Sequence, residues 1–359
     1  MVKVKVLVVD DSIFMRKLLS DIISKDGRLQ VVGTAKNGRE AIQLTEELKP
    51  DVITMDIEMP EMDGLTALRW IMRKFPTPVL MVSSLTEQGA YETIKALQLG
   101  AVDFIQKPSG SVSLDLYRVK DELLMKIKAV SKARLSNEPV SLNSKAQEPK
   151  NPAVMSKLEK PRPGTKKFRQ IFAIGTSTGG PKALETVIKG LPSDFHEPVV
   201  VVQHMPPKFT EYLAKRLDGI SNVHVVEAQN NQVISGGTVY IAPGDYHMEI
   251  RKRGLEYRIK LNNEEPCNGH RPSVDVLFDS VSKLDHLKRH FIIMTGMGGD
   301  GAKGMMRAKK SGAASTTIAE SEETCIVYGM PKTAVNLGCV DHILPLPKIS
   351  SKIISLSKT

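Results

Sequence analysis

Cysteine, tryptophan and long apolar runs are scarce in these 359 residues, and each scarcity excludes something. The three cysteines, Cys267, Cys325 and Cys339, are odd in number and match neither a zinc knuckle nor a disulfide framework. They fit a reducing, cytoplasmic setting. No stretch approaches the roughly 18 apolar residues that a membrane span requires, so no membrane insertion is expected. The opening Met1-Val2-Lys3-Val4-Lys5-Val6 alternates like a strand and lacks the basic start, apolar run and cleavage site of a leader. Acidic residues are also outnumbered, 40 against 50 Lys plus Arg, for a net charge of +10. That excess could suggest nucleic acid. It is concentrated, however: residues 131–169 hold ten Lys or Arg and only three acids, among Pro, Ser and Asn and without periodicity. A solvated linker explains this better than a nucleic-acid arm.

What is present is apolar patterning for two domains. In the first, Lys3–Val9, Val31–Ala35, Val52–Met55, Val79–Val82 and Phe104–Ile105 read as strands. Helical patterns such as Phe14–Lys25, Gly38–Leu48 and Gly64–Lys74 lie between them, and a last helix covers about Leu114 to Val130. In the second, strands are expected at Ile171–Ile174, Val199–Val202, Val223–Val226, Val239–Ile241, Ile292–Met294 and Ser315–Ile318, with an antiparallel hairpin over Met248–Leu261. Helices are expected at Lys182–Lys189, Lys208–Leu217, Val274–Leu284, Ala302–Lys310 and Lys332–Leu337. The fold class is therefore α/β, with two doubly wound domains: a flavodoxin-like sheet over 1–130, a basic linker over 131–167, and a mostly parallel, Rossmann-like sheet over 168–359.

In open α/β sheets function gathers beyond the carboxyl ends of the strands. In the first domain those ends carry Asp10 and Asp11, Asp56, Ser83 and Lys107. Three carboxylates meeting there call for a cation, and Mg²⁺ suits a site of few carboxylates. One carboxylate could then attack a phosphoryl donor, with Lys107 neutralising developing charge and Ser83 bonding the transferred group. Val8-Val9-Asp10-Asp11-Ser12, Met55-Asp56-Ile57-Glu58-Met59-Pro60 and Lys107-Pro108 resemble the receiver domains of two-component response regulators. The resemblance spans about residues 3 to 128. It implies that a histidine kinase phosphorylates Asp56, and that Asp10, Asp11, Asp56 and the backbone carbonyl of Glu58 hold Mg²⁺. It also places Ser83 and Phe104 as the switch hydroxyl and switch aromatic.

In the second domain Gly175-Thr176-Ser177-Thr178-Gly179-Gly180-Pro181 follows an apolar strand and opens a helix. It contains the G-x-S-x-G of a nucleophile elbow. A dinucleotide fingerprint or a P-loop fails on spacing. All eight histidines lie in this domain. His204, in Gln203-His204-Met205-Pro206, follows the valine strand and is the candidate base. His224 and His247, on alternating strands, read as structural; His196, His286, His290 and His342 read as surface or loop residues; His270 can reach a pocket rim. The orienting carboxylate is Asp300, in the glycine-rich turn Thr295–Gly301, or else Asp245. Asp300 can equally be the N-cap of the helix that follows it.

Gly175–Pro181, Gln203–Pro206, Ala242-Pro243-Gly244, Thr295–Gly301 and Gly329-Met330-Pro331 resemble the catalytic domain of the CheB family of chemotaxis methylesterases, over about residues 168 to 347. The resemblance implies Ser177 as nucleophile, His204 as base and Asp300 as orienting acid. It gives the Met297 backbone amide, supported by Thr178, to the oxyanion, and needs no cofactor in this domain. The expected activity is phosphorylation-activated hydrolysis of glutamyl methyl esters on chemoreceptors, with deamidation of receptor glutamines. The partners implied are a chemotaxis histidine kinase and chemoreceptors, at cytoplasmic receptor arrays, and no nucleic acid. Thr176 stands where alanine is common in the family, and Glu320-Ser321 where the family often has Gln-Asp.

Overall fold

The computed structural model describes residues 2–84, 86–107, 113–133, 167–311 and 315–359, and the side chains of 113–119 are outside this description. Pro108 and most of the expected linker lie outside the described residues. The chain divides into two compact units, 1–158 and 159–359.

The first unit alternates β1 (Val4–Val9), α1 (Ile13–Ser24), β2 (Leu29–Ala35), α2 (Gly38–Leu48), β3 (Val52–Asp56), α3 (Gly64–Lys74), β4 (Val79–Ser83), α4 (Glu87–Gln98), β5 (Asp103–Gln106) and α5 (Ser113–Val130). Its five-stranded sheet is parallel and ordered β2-β1-β3-β4-β5. The strands are short and apolar because helices cover both faces, and Val6 to Val9, Val79 to Val82 and most of β3 are wholly buried. Four helices start where a side chain accepts an orphan amide: Ser12 from Met15, Asn37 from Glu40, Asp63 from Thr66 and Thr86 from Gly89.

The second unit runs β6 (Gln170–Thr176), α6 (Gly180–Lys189), β7 (Val199–Gln203), α7 (Phe209–Ile220), β8 (His224–Glu227), β9 (Thr238–Ile241), β10 (His247–Arg253), β11 (Glu256–Asn262), α8 (Val274–Ser282), β12 (Lys288–Ile293), α9 (Ala302–Lys310), β13 (Ser315–Glu320), α10 (Met330–Asn336), β14 (His342–Leu344) and α11 (Leu346–Ser357). Seven strands form a parallel sheet in the order β14-β13-β12-β6-β7-β9-β8, and β10-β11 form the expected antiparallel hairpin. β14 and α11 were not expected: three residues carry too little alternation to read as a strand. β12 begins earlier than its apolar run, because Arg289 and His290 are buried strand residues. His290 is therefore not a surface residue. Its ring stacks on Phe172 at 4.4 Å and bonds Gln170 at 2.8 Å. Burial pushes its pKa down to about 4, so it is held neutral.

Chain order reverses between β1 and β3 in the first sheet and between β12 and β6 in the second. Each reversal opens a crevice at the carboxyl ends of the strands. Asp10 and Asp56 flank the first reversal, and Asp300 and Ser177 the second.

Candidate active site

In the first unit Asp10 follows β1, Asp56 ends β3 and Lys107 follows β5. Carboxylate oxygens of Asp10, Asp11 and Asp56 all lie within 4.8 Å of one another. Lys107 Nζ is 2.6 Å from Asp56 and 3.2 Å from Asp10. Burial pushes the Asp56 carboxyl up to about 6, against the hydrogen bond and charge of Lys107, and the Asp10 charge adds to the rise. Burial disfavours the Lys107 ammonium, but Asp56 and Asp10 together hold its pKa above the ordinary value. One ammonium thus serves carboxylates that still lack charge balance.

Asp10 Oδ1 accepts from the Ser12 amide at 2.9 Å, while buried Asp10 Oδ2 faces only the Lys107 ammonium at 3.2 Å, without the angle of a hydrogen bond. Three clustered carboxylates that share one ammonium form a hard-oxygen set that fits Mg²⁺. Glu58 is exposed on the loop after β3, beside an open cleft of about 410 Å³ that Asp11 also lines. Ser83 is buried. Its hydroxyl donates to Gly89 O at 3.2 Å and accepts from Thr93 at 2.8 Å, which ties it to α4. Phe104 is buried under Lys126, whose Nζ lies 5.3 Å from the ring centre.

In the second unit three neighbouring strands, β12, β6 and β7, deliver the predicted triad. Ser177 follows β6, on a turn whose Gly179 has φ +77° and opens α6. His204 follows β7, and its amide donates to Thr176 O at 3.1 Å, one residue from Ser177. Asp300 closes the loop that follows β12. His204 Nε2 and Asp300 Oδ2 are 2.9 Å apart, while His204 Nδ1 is buried without a partner.

Asp300 is 3% exposed and is held from several sides. It accepts from Asn268 Nδ2 at 2.9 Å, Ser273 Oγ at 2.8 Å, and the amides of Val274 and Asp275 at 2.7 and 3.2 Å. Burial alone would raise its pKa. The His204 hydrogen bond and charge, Asn268 and the Val274 amide hold it well below the usual carboxylate range. Asp300 therefore serves the first turn of α8, and not, as its position suggests, the helix that follows it: Gly301, at φ +88°, precedes α9 without a side-chain cap. Asp245 is exposed and bound by Arg271 at 2.6 and 3.0 Å, which removes it as the competing acid.

Met297 is half-buried on the loop between β12 and Asp300, and its amide donates no hydrogen bond among the described residues. Gly296 brings that loop against the elbow: a Cβ there would lie 2.9 Å from Ser177 Cβ and would strike the Met330 sulfur. Thr178 is buried, and its carbonyl accepts from Thr295 Oγ1 at 2.9 Å. His270, expected only near a rim, stacks on His204 with ring centres 3.8 Å apart. The parts that Asn268, Ser273, Thr295 and Glu320 play here were missed, because the bonds that bring them to the site span 25 residues or more and leave no local pattern.

Comparison with known proteins identifies the two domains. Residues 172–353 match the CheB methylesterase family model and residues 6–116 match the response regulator receiver domain. A protein-glutamate methylesterase/protein-glutamine glutaminase of Geobacillus kaustophilus is 48% identical over 98% of each chain. One of the same name from Bacillus subtilis is 47% identical over 99% of each. The crystal structure of the Thermotoga maritima CheB methylesterase catalytic domain aligns at TM-score 0.51 and 43% identity, covering 53% of this chain and all of that one. The chain belongs to the CheB family of protein-glutamate methylesterases/protein-glutamine glutaminases and carries their response regulator receiver domain.

Proposed function

We propose that Ser177, His204 and Asp300 hydrolyse γ-glutamyl methyl esters on chemoreceptors, and that phosphorylation of Asp56 raises this activity. The observation that carries the reading is the His204–Asp300 pair, fixed at 2.9 Å beside the strand end that bears Ser177. Asp300 accepts the Nε2 proton of His204, which leaves Nδ1 as the base. Ser177 Oγ attacks the side-chain carbonyl and passes its proton to Nδ1. The Met297 amide, with Thr178 in support, receives the oxyanion. Collapse expels methanol, protonated by His204, and leaves a glutamyl–serine ester. Water, deprotonated by the same imidazole, then releases glutamate. A glutamine side chain follows the same route and releases ammonia.

In the receiver, Asp10, Asp11, Asp56 and the Glu58 carbonyl would hold Mg²⁺, which supplies charge neutralisation at the acceptor. Lys107 pairs with Asp56, and Ser83 and Phe104 report its state to the rest of the domain. The proposed boundaries are a receiver over 1–130, a linker over 131–167 and a catalytic domain over 168–359. The proposed partners are a chemotaxis histidine kinase and cytoplasmic receptor arrays.

Methanol release from methylated receptor membranes tests the reading. Ser177→Ala is expected to lower the rate by about 10⁴-fold or more. Wild-type release from that variant would reject the assignment.

A further inference from the structure

We propose that Thr176 and Glu320 are a coupled pair of positioning residues that hold the Ser177 elbow against the Met297 loop through Thr295. The inference rests on Ser177 being the nucleophile and adds how its position is set.

Thr295 stands at the start of the loop that carries Met297 and Asp300, and every polar group it has is committed. Its carbonyl accepts from the Ser177 amide at 3.0 Å and from Thr176 Oγ1 at 2.8 Å. Its amide donates to Glu320 Oε2 at 2.8 Å. Its hydroxyl donates to Thr178 O at 2.9 Å and accepts from the Val327 amide at 3.0 Å. The amide belongs to the peptide plane before the Thr295 Cα and the carbonyl to the plane after it. Glu320 therefore fixes one plane and Thr176 the other. Together they set both soft dihedrals at the root of the loop. The next plane, which carries the Met297 amide, is held in turn at Gly296 O by the amides of Gly329 and Met330 at 3.1 and 2.9 Å.

Glu320 is itself anchored. Its Oε1 accepts from Thr324 Oγ1 at 2.9 Å, and Thr324 in turn accepts from the Leu346 amide at 2.9 Å, at the head of α11. Thr176 and Glu320 are fully buried and Thr295 is nearly so, so water cannot replace a lost bond.

A double-mutant cycle on the full-length protein tests the pair. The readouts are kcat and KM for methanol release, with the thermal midpoint of each variant. Thr176→Ala and Glu320→Ala are each expected to lower kcat by about three- to tenfold, with KM moving less than about twofold. Thr176→Ser and Glu320→Gln restore an acceptor or donor at the same place and should recover most of the loss. The double alanine variant should fall short of the product of the single losses by about threefold or more. If Glu320→Ala does not fold, Glu320→Met, of similar length and without an acceptor oxygen, takes its place. Losses that multiply, or lowered midpoints with wild-type kcat per folded molecule, would overturn the proposal. Ser177→Ala is the control: an active Ser177→Ala sinks the nucleophile assignment, whereas an inactive one with multiplying losses sinks only this inference.

Discussion

The two crevices place a buried aspartate at the end of a parallel strand or in the loop beyond it, and treat it in opposite ways. Asp56 accepts one backbone amide and one lysine, beside two more carboxylates, and burial lifts its pKa to about 6. Asp300 accepts from His204, Asn268, Ser273 and two helix amides, and its pKa is held well below the usual range. An under-satisfied carboxylate is a poised reactant: it gains by binding a cation or forming a bond. An over-satisfied carboxylate is a fixture that orients its neighbour and resists protonation. The fold is similar in both units. The donors arranged around the acid make the difference.

Helix starts repeat the contrast. In the receiver, side chains cap α1 to α4. In the esterase unit, α6 and α9 begin at left-handed glycines without a side-chain cap. The amino-terminal end of α6 thereby stays beside Ser177, whose carbonyl accepts from the Gly180 amide at 2.8 Å, and its dipole favours the negative charge that develops in the proposed reaction.

The largest test of the contrast is Asp300→Asn. It removes the acceptor that fixes the His204 tautomer, and kcat for methanol release should fall by about 10³- to 10⁴-fold. A loss under tenfold would mean that Asp300 serves α8 alone.

His290 adds a third case, a buried base with no opposite charge beside it. Its folded pKa, about 4, lies below the unfolded value near 6.5. The unfolded chain therefore binds more protons between those values, so stability is full above 6.5 and is lost as pH falls toward 4. The loss from this one group is roughly 3 kcal/mol. Denaturant melts of His290→Gln should show a shallower fall across that window, and an unchanged slope would contradict the burial argument.

Next in size is the response to Mg²⁺. At a hundred times its dissociation constant the ion should add about 2.7 kcal/mol to receiver stability. Asp56→Asn should lose most of that gain, and an undiminished gain would place the ion elsewhere. The smallest effect belongs to Ser273→Ala. It removes one of the bonds that hold Asp300 and should cost about 1 kcal/mol, read as a small drop in midpoint and a few-fold loss of kcat.

The apolar strands of both sheets were legible in the sequence, because strands buried on both faces have little freedom in composition. Helix starts such as Gly38 and Gly64 were legible too, with Asn37 and Asp63 ready to cap them. The candidate triad could be named because Ser177, His204 and Asp300 each sit beyond a strand's carboxyl end and the resemblance to the CheB family chose Asp300 over Asp245. What stayed hidden was long-range or polar inside. His290 reads as surface, yet β12 buries it beside Arg289. β14 is three residues long. Asp300 reads locally as a cap for its own helix, but its partners Asn268, Ser273 and Val274 lie 26 or more residues upstream. No local period reports such a bond.

The most direct test of the contrast is methanol release with and without a small phosphodonor for wild type, Asp56→Asn and Asp300→Asn. Wild type should be stimulated by the donor. Asp56→Asn should retain an unstimulated rate that ignores the donor, and Asp300→Asn should be slow in both conditions. A stimulated Asp56→Asn, or a fast Asp300→Asn, would contradict the division into a reacting and an orienting aspartate.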